Sequence, residues 1–220
     1  ILSFFFNFDI LDKRFFLLYR DWFSFFGVAS MFFAFGLIDD KYDLTPNIKL
    51  TFFITLIGFA ILLDPNLMIE EIRISYKIQP ILLLKLSLVF SVISFLLFIN
   101  SYNMFDGINL QAGFYAIGIF TILVLNNQNA NMLLLLMVSI IFFLLLNFQG
   151  KVFLGNNGSF LLAYVISFFI VKSYNIDRIF YSDEIFLIML IPGLEVFRLF
   201  FKRIINNKHP FFPDQDHIHH

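Results

Sequence analysis

Seven apolar stretches dominate the chain, at residues 22–38, 48–63, 81–99, 112–125, 132–148, 159–171 and 185–201. A helix crossing the hydrocarbon core of a bilayer needs about 20 mostly apolar residues, with ~17 to 25 tolerated. The expected fold is therefore all-α, a polytopic integral membrane helical bundle with about seven spans and one transmembrane domain over residues 1–220. The stretches starting at Ile48, Ala112 and Ser159 are short, and each borders a polar motif. Their helices are expected to extend into flanking residues that face protein or water. Residues 1–11 read as the end of an earlier span or as an interfacial segment. Composition agrees with a membrane chain: 60% of the 220 residues are apolar and only 14% are charged, against ~25% charged in soluble domains. The 15 Lys and Arg nearly cancel the 16 Asp and Glu, which removes the basic footprint of a nucleic-acid binder. The apolar excess excludes disorder, and a chain without cysteine has no disulfide, thiolate metal site or thiol nucleophile. Because the chain starts at Ile1 and stops at His220 directly after a polar loop, both ends are expected to be cut. No signal peptide is visible in the first nine residues.

Each span crosses once, so the connecting segments alternate between two sides. Segments 39–47, 100–111, 149–158 and 202–220 share one side; 64–80, 126–131 and 172–184 share the other. The first set carries Asp39, Asp40, Asp43, Asn100, Asn103, Asp106, Asn109, Asn156, Asn157 and every histidine, whereas the second holds ordinary turn residues. One face is built for chemistry. Lys and Arg bias does not orient it, because seven basic residues lie on the motif side and eight opposite.

Four motifs make up that face. Asp39, Asp40 and Asp43 close the first span, and carboxylates crowded in this way persist where a cation or a phosphate-bound Mg²⁺ is shared between them; a solvated helix end is the competing explanation. Asn100, Asn103, Asp106 and Asn109 recur every third residue between two spans, with Gly107 and Gly113 suggesting a broken helix along a wet cavity. Their amides and carboxylate suit a nucleobase or sugar, or serve as interhelical glue. Gly155-Asn-Asn-Gly158 opens the next helix, where free N–H groups attract phosphate, although such a turn is often only a turn. His217, His219 and His220 follow the basic Lys202, Arg203 and Lys208 and suit a transition metal or a diphosphate. Glu195 and Arg198, three residues apart in the last span, either pair with each other or serve the site.

In chain order, Phe35-Gly-Leu-Ile-Asp-Asp40, Asn103-Met-Phe-Asp-Gly107, Phe153-Leu-Gly-x-x-Gly-Ser159, Ile191-Pro-Gly-Leu-Glu195 with Arg198, and Pro213-Asp-x-x-His-Ile-His-His220 resemble the polyprenyl-phosphate N-acetylhexosamine-1-phosphate transferases, the WecA/TagO/MraY family. The His-Ile-His-His ending is more similar to the branch that uses UDP-GlcNAc than to the branch that takes UDP-MurNAc-pentapeptide. The resemblance implies transfer of a sugar 1-phosphate, with GlcNAc the favoured sugar, from a UDP-sugar to a polyprenyl phosphate such as undecaprenyl phosphate, with release of UMP. It implies Mg²⁺, with Mn²⁺ as the alternative cation. It assigns catalytic roles to Asp39, Asp40 and Asp106, metal ligation to Asp39, Asp40 and Asn156, and substrate contacts to Lys49, Asn103, Asn109, His217, His219 and His220. Nucleotide sugars are cytoplasmic, so the motif face is assigned to the cytoplasmic side of the plasma (inner) membrane. The partners expected are the UDP-sugar, the polyprenyl phosphate, the membrane and a second copy of the chain in a homodimer.

Three departures accompany the resemblance. The family usually has Asp where Asn156 stands; its Asp-Gly-Ile-Asp-Gly-Leu run reads Asp106-Gly-Ile-Asn109-Leu-Gln111 here; and Gln215 replaces a residue that is often basic. A non-catalytic homologue that binds nucleotide sugar or lipid phosphate is thus the alternative. A transporter is disfavoured, because the polar residues gather at one face rather than at the midplane.

Overall fold

A computed structural model of the chain describes residues 15–126 and 130–205. Seven long helices are present: α1 (Tyr19–Tyr42), α2 (Pro46–Leu63), α3 (Ser87–Phe105), α4 (Gln111–Leu125), α5 (Ala130–Phe148), α6 (Gly155–Lys172) and α7 (Ser182–Ile205). Among the described residues the only sheet is a two-residue antiparallel pairing of β1 (Glu71–Ile72) with β2 (Ile81–Leu82). The fold is the expected all-α bundle, with two differences of detail. The third apolar stretch starts as strand β2, passes through a 3-10 turn at Leu84–Leu86 and becomes α-helical at Ser87; the helix then runs to Phe105 and takes in Asn100 and Asn103. The backbone breaks after Phe105, between α3 and α4. In addition, among the described residues five helices rather than seven are long and apolar enough to cross a membrane. Helix α4 has 15 residues, and α7 includes Pro192, Glu195, Arg198 and Lys202.

Local chemistry sets the helix ends that carry the motifs. Helix α1 stops because Asp43 adopts a left-handed conformation, φ 46°, and returns its N–H to the Asp39 carbonyl. Pro46 restarts the chain at the first position of α2, where its missing N–H costs nothing. Within α1 a π-helical turn covers Phe23–Gly27, and Phe25 from this turn packs 4.8 Å from the ring of Phe168 and 5.4 Å from that of Phe169.

Helix α6 is the central helix. Of its spanning window 78% is buried, against 28–50% for the other four spans. Helices α1 and α3 pack most extensively on it. Phe32 stacks on Tyr164 at 5.0 Å and Phe53 meets Phe160 edge-on at 4.8 Å, so aromatic pairs fill much of the contact. The outward faces of α2, α3 and α5 expose Leu62, Leu97 and Phe142, as lipid-facing helices do.

Two contacts fix α6 along its axis. At its far end Lys172 is fully buried and lies 2.5 Å from Asp64, the equally buried cap of α2. The ammonium also donates to the Phe15 carbonyl and sits among the rings of Phe15, Phe16 and Phe168. At its start, α1 approaches so closely that a Cβ on Gly36 would fall 2.2 Å from the Cα of Asn157 and 2.5 Å from its nitrogen. No side chain fits there.

Lys172→Met is expected to destabilise the protein by ~3–5 kcal/mol, because it strands the Asp64 charge in a buried site. Thermal unfolding in detergent checks this, and adding Asp64→Asn should recover part of the loss. Gly36→Ala drives a methyl group into backbone and should cost about 1–3 kcal/mol, lowering the unfolding temperature of a chain whose surface is unchanged.

Candidate active site

The two aspartates that end α1 have different environments. Asp39 is enclosed: its side chain is fully buried, 2.8 Å from Lys49 Nζ in the first turn of α2, and it accepts the Leu44 N–H at 3.0 Å. Asp40 is exposed, and its carboxylate accepts the N–H of Asn156 at 2.9 Å and that of Asn157 at 3.3 Å. These are first-turn groups of α6, which have no partner within the helix and lie at the positive end of its dipole. The sequence reading offered those N–H groups to phosphate; Asp40 already takes two of them. Each oxygen accepts a single bond here and keeps lone pairs for another ligand. Gly155 makes room for this contact. Its φ is 66°, and a Cβ there would lie 2.9 Å from Asp40 Oδ2.

The second motif reaches the same helix start. Asn103, in the last turn of α3, accepts the hydroxyl of Ser159 through Oδ1. One residue beyond α3, Asp106 is partly buried, and its carboxyl is pushed up to about 7, chiefly by burial and further by the negative charge of Asp40. Two acids near enough to repel one another therefore face the same region. Asn109 is exposed in the connection to α4, and Asn156 is half-buried with its backbone committed to Asp40. Lys49 is mostly covered, 24% exposed, and neutralised by Asp39.

Of the residues the sequence singled out, the structure thus brings Asp40, Asn103, Asp106 and Asn156 to one end of the bundle, with the Asp39–Lys49 pair behind them. His217, His219 and His220 lie outside the described residues. Glu195 and Arg198 pair with each other across one helical turn, Arg198 Nε donating to Glu195 Oε2 at 2.8 Å. Among the described residues no group of three or more His, Cys, Asp or Glu is disposed to hold a metal ion. Asp39 does not suit that role, being buried and committed to Lys49 and Leu44.

Sequence reasoning missed two positions, Asn147 and Tyr102, and gave no role to a third, Ser159 of the motif at 153–159. Asn147, 3% exposed at the end of α5, accepts the Leu110 N–H at 2.8 Å and donates to the Val152 carbonyl at 2.7 Å. Tyr102 donates to the Ala112 carbonyl at 2.8 Å and ties α3 to α4 across the break. Ser159 holds Asn103. A lone amide in an apolar stretch was the available signal for Asn147, since polar side chains at membrane depth need partners.

Residues 22–174 match the sequence profile of glycosyl transferase family 4. An undecaprenyl-phosphate alpha-N-acetylglucosaminyl 1-phosphate transferase of Thermotoga maritima is 33% identical over 198 residues, covering 89% of this chain and 60% of its own length. A probable undecaprenyl-phosphate N-acetylglucosaminyl 1-phosphate transferase of Bacillus subtilis is 29% identical over 203 residues, 87% of this chain and 55% of its own. A Yersinia pestis protein named like the first is 26% identical over 198 residues, 84% and 54%. The chain thus spans a little over half the length of the curated relatives it matches. No solved structure matches it. With the profile covering most of the sequence, and the described motif residues meeting at the start of α6, the chain belongs to glycosyl transferase family 4.

Proposed function

We propose that the protein transfers N-acetylglucosamine 1-phosphate from UDP-GlcNAc to undecaprenyl phosphate, as the names of its relatives describe, with the Asp40 end of the bundle facing the cytoplasm across the plasma membrane. The observation that carries this reading is the juxtaposition of Asp40 and Asp106 at the start of α6, in a chain a third identical to such a transferase.

In the reaction an oxygen of the lipid phosphate bonds to the sugar-bearing phosphorus, the P–O bond to UMP breaks, and UMP leaves. Two anions must meet, so charge neutralisation and positioning carry most of the catalysis. Mg²⁺ commonly binds through one or two carboxylates plus substrate phosphates. Asp40 meets that requirement, and the side-chain oxygen of Asn156 can complete the set. When bound there, Mg²⁺ or Mn²⁺ offsets the diphosphate charge and orients the attacked phosphorus. Asp106, left off the ion, is raised to about 7 by its burial and by Asp40, which gives it the proton affinity of a general base near neutral pH to take the proton of the lipid phosphate at its carboxylate oxygen. Asp40, fixed by two backbone N–H groups, keeps its place as the charges change. Asn103 and Asn109 are left for the uridine and sugar, and Asp39 holds Lys49 at the rim as a phosphate contact.

A second reading, binding without turnover, is favoured by the uncharged amide at Asn156, where the family usually has a carboxylate. It predicts saturable UDP-sugar binding that EDTA leaves intact, and no product.

Full-length protein in detergent, given Mg²⁺, undecaprenyl phosphate and radiolabelled UDP-GlcNAc, should yield labelled lipid and UMP. Failure with every UDP-N-acetylhexosamine would overturn the proposal. Asp40→Asn and Asp106→Asn should each lower kcat by ~100-fold or more. The Asp106 carboxyl, followed by NMR of carboxyl-labelled aspartate without divalent cations, should titrate near pH 7. In Asp40→Asn its midpoint should fall, because a repelling charge has gone. The raised value favours the neutral acid in the folded chain, so this group's contribution to stability is present in acid and is lost as pH rises through about 7.

A further inference from the structure

Leu110 occupies a conformation that its side chain disfavours. Its φ is 72° and ψ −24°, in the left-handed region where glycine is at ease and a residue with a Cβ is strained. The strain sits at a critical place. Leu110 ends the connection that carries Asp106 and Asn109, and its carbonyl accepts the Phe114 N–H at 2.9 Å to open α4. The Leu110 side chain packs partly buried against the core, a contact that does not remove the strain of a positive φ. A strained residue persists only where its surroundings over-determine it, and the surroundings supply one specific restraint. The buried Asn147 amide points its oxygen at the Leu110 N–H and its nitrogen at the Val152 carbonyl. One side chain thereby links the Asp106–Leu110 connection to the segment that leads into Gly155 and Asn156.

Resting on the transferase reading above, we propose that Asn147 is a positioning residue: it holds Leu110 in its left-handed turn and so sets the Asp106–Asn109 connection against the start of α6. The chemistry calls for an amide of this length. Aspartate presents two acceptors, so it keeps the Leu110 bond but faces the Val152 carbonyl with a second oxygen. Alanine leaves both the Leu110 N–H and the Val152 carbonyl buried without partners, and an unmade buried hydrogen bond is costly. Glutamine is a methylene too long for a site that is already packed. With Asn147 removed, Leu110 relaxes toward negative φ and carries its neighbours with it. Glycine at position 110 would keep the turn without help.

The experiment compares the full-length wild type with Asn147→Ala, Asn147→Ser, Leu110→Gly and the double variant Asn147→Ala/Leu110→Gly in detergent, each checked for an intact unfolding transition. Hydrogen exchange of the peptide spanning 106–114 is read first, because it does not depend on catalysis. Asn147→Ala should raise exchange at Leu110 by about tenfold or more, as expected for the loss of one buried hydrogen bond. In the transfer assay Asn147→Ala should lower kcat by about tenfold or more with KM for UDP-GlcNAc changed less than threefold. The double variant should regain most of that kcat, which a general loss of stability would not allow. Unchanged exchange over 106–114 in Asn147→Ala overturns the proposal, as does a folded double variant no more active than Asn147→Ala. If Asn147→Ala does not fold, Asn147→Ser, whose shorter side chain cannot span the Leu110 N–H and the Val152 carbonyl, carries the same comparison; exchange over 106–114 equal to the wild type overturns the proposal. If the wild type transfers no sugar phosphate, the transferase reading fails, while exchange still decides whether Asn147 holds the turn.

Discussion

The central helix is held at each end by a carboxylate from a different helix, and the rest of the structure depends on that arrangement. Asp40, from the end of α1, sits on the first N–H groups of α6; Asp64, from the end of α2, pairs with Lys172 in its last turn. Both contacts have the polarity that a helix dipole rewards, negative at the start and positive at the finish. In a bundle whose helices gain little from hydrophobic burial against lipid, such polar contacts fix the rise of one helix against another. The aromatic pairs between α1, α2 and α6 fill the space but would tolerate sliding. A carboxylate on two N–H groups tolerates little.

The neighbouring aspartates show how one helical turn divides labour. Asp39 points inward, where Lys49 cancels its charge and the Leu44 N–H completes the bend into α2. Asp40 points outward and keeps its charge available. The Asp39–Lys49 pair therefore builds the corner on which Asp40 is presented, and Asp106 is lifted chiefly by its burial, with the charge of Asp40 adding to it. A site of this kind is poised by burial and by repulsion between acids rather than by a ready cage of ligands.

Much of this was legible in the sequence because membrane helices leave a strong trace. The apolar stretches located all seven helices, and alternation of sides placed Asp40, Asn103 and Asn156 together before any coordinates. What was not legible has common physical causes. The stretch at 81–99 hid a strand, since Ile81 and Leu82 suit β pairing as well as a helix. The short stretch at 112–125 and the Pro192, Glu195 and Arg198 of the last stretch were visible, but only the structure shows that Glu195 and Arg198 pair with each other. Asn147 looked like one amide in an apolar run, and only the approach of Leu110 and Val152 from elsewhere in the chain gives it partners. The split between Asp39 and Asp40 depends on where α2 turns back, which no local pattern encodes.

The bond between Asp40 and the start of α6 joins residues 116 positions apart, which bears on how the protein is made. At ~5–20 residues per second of synthesis, the α1 terminus waits roughly 6 to 23 seconds before its partner leaves the ribosome. Asp64 waits in the same way for Lys172. Through that interval two carboxylates and a glycine-notched helix face must be shielded by water, lipid headgroups or the insertion machinery. Both ends of α6 are therefore fixed late in biogenesis, and a chain stopped before Asn156 lacks the contact that seats Asp40.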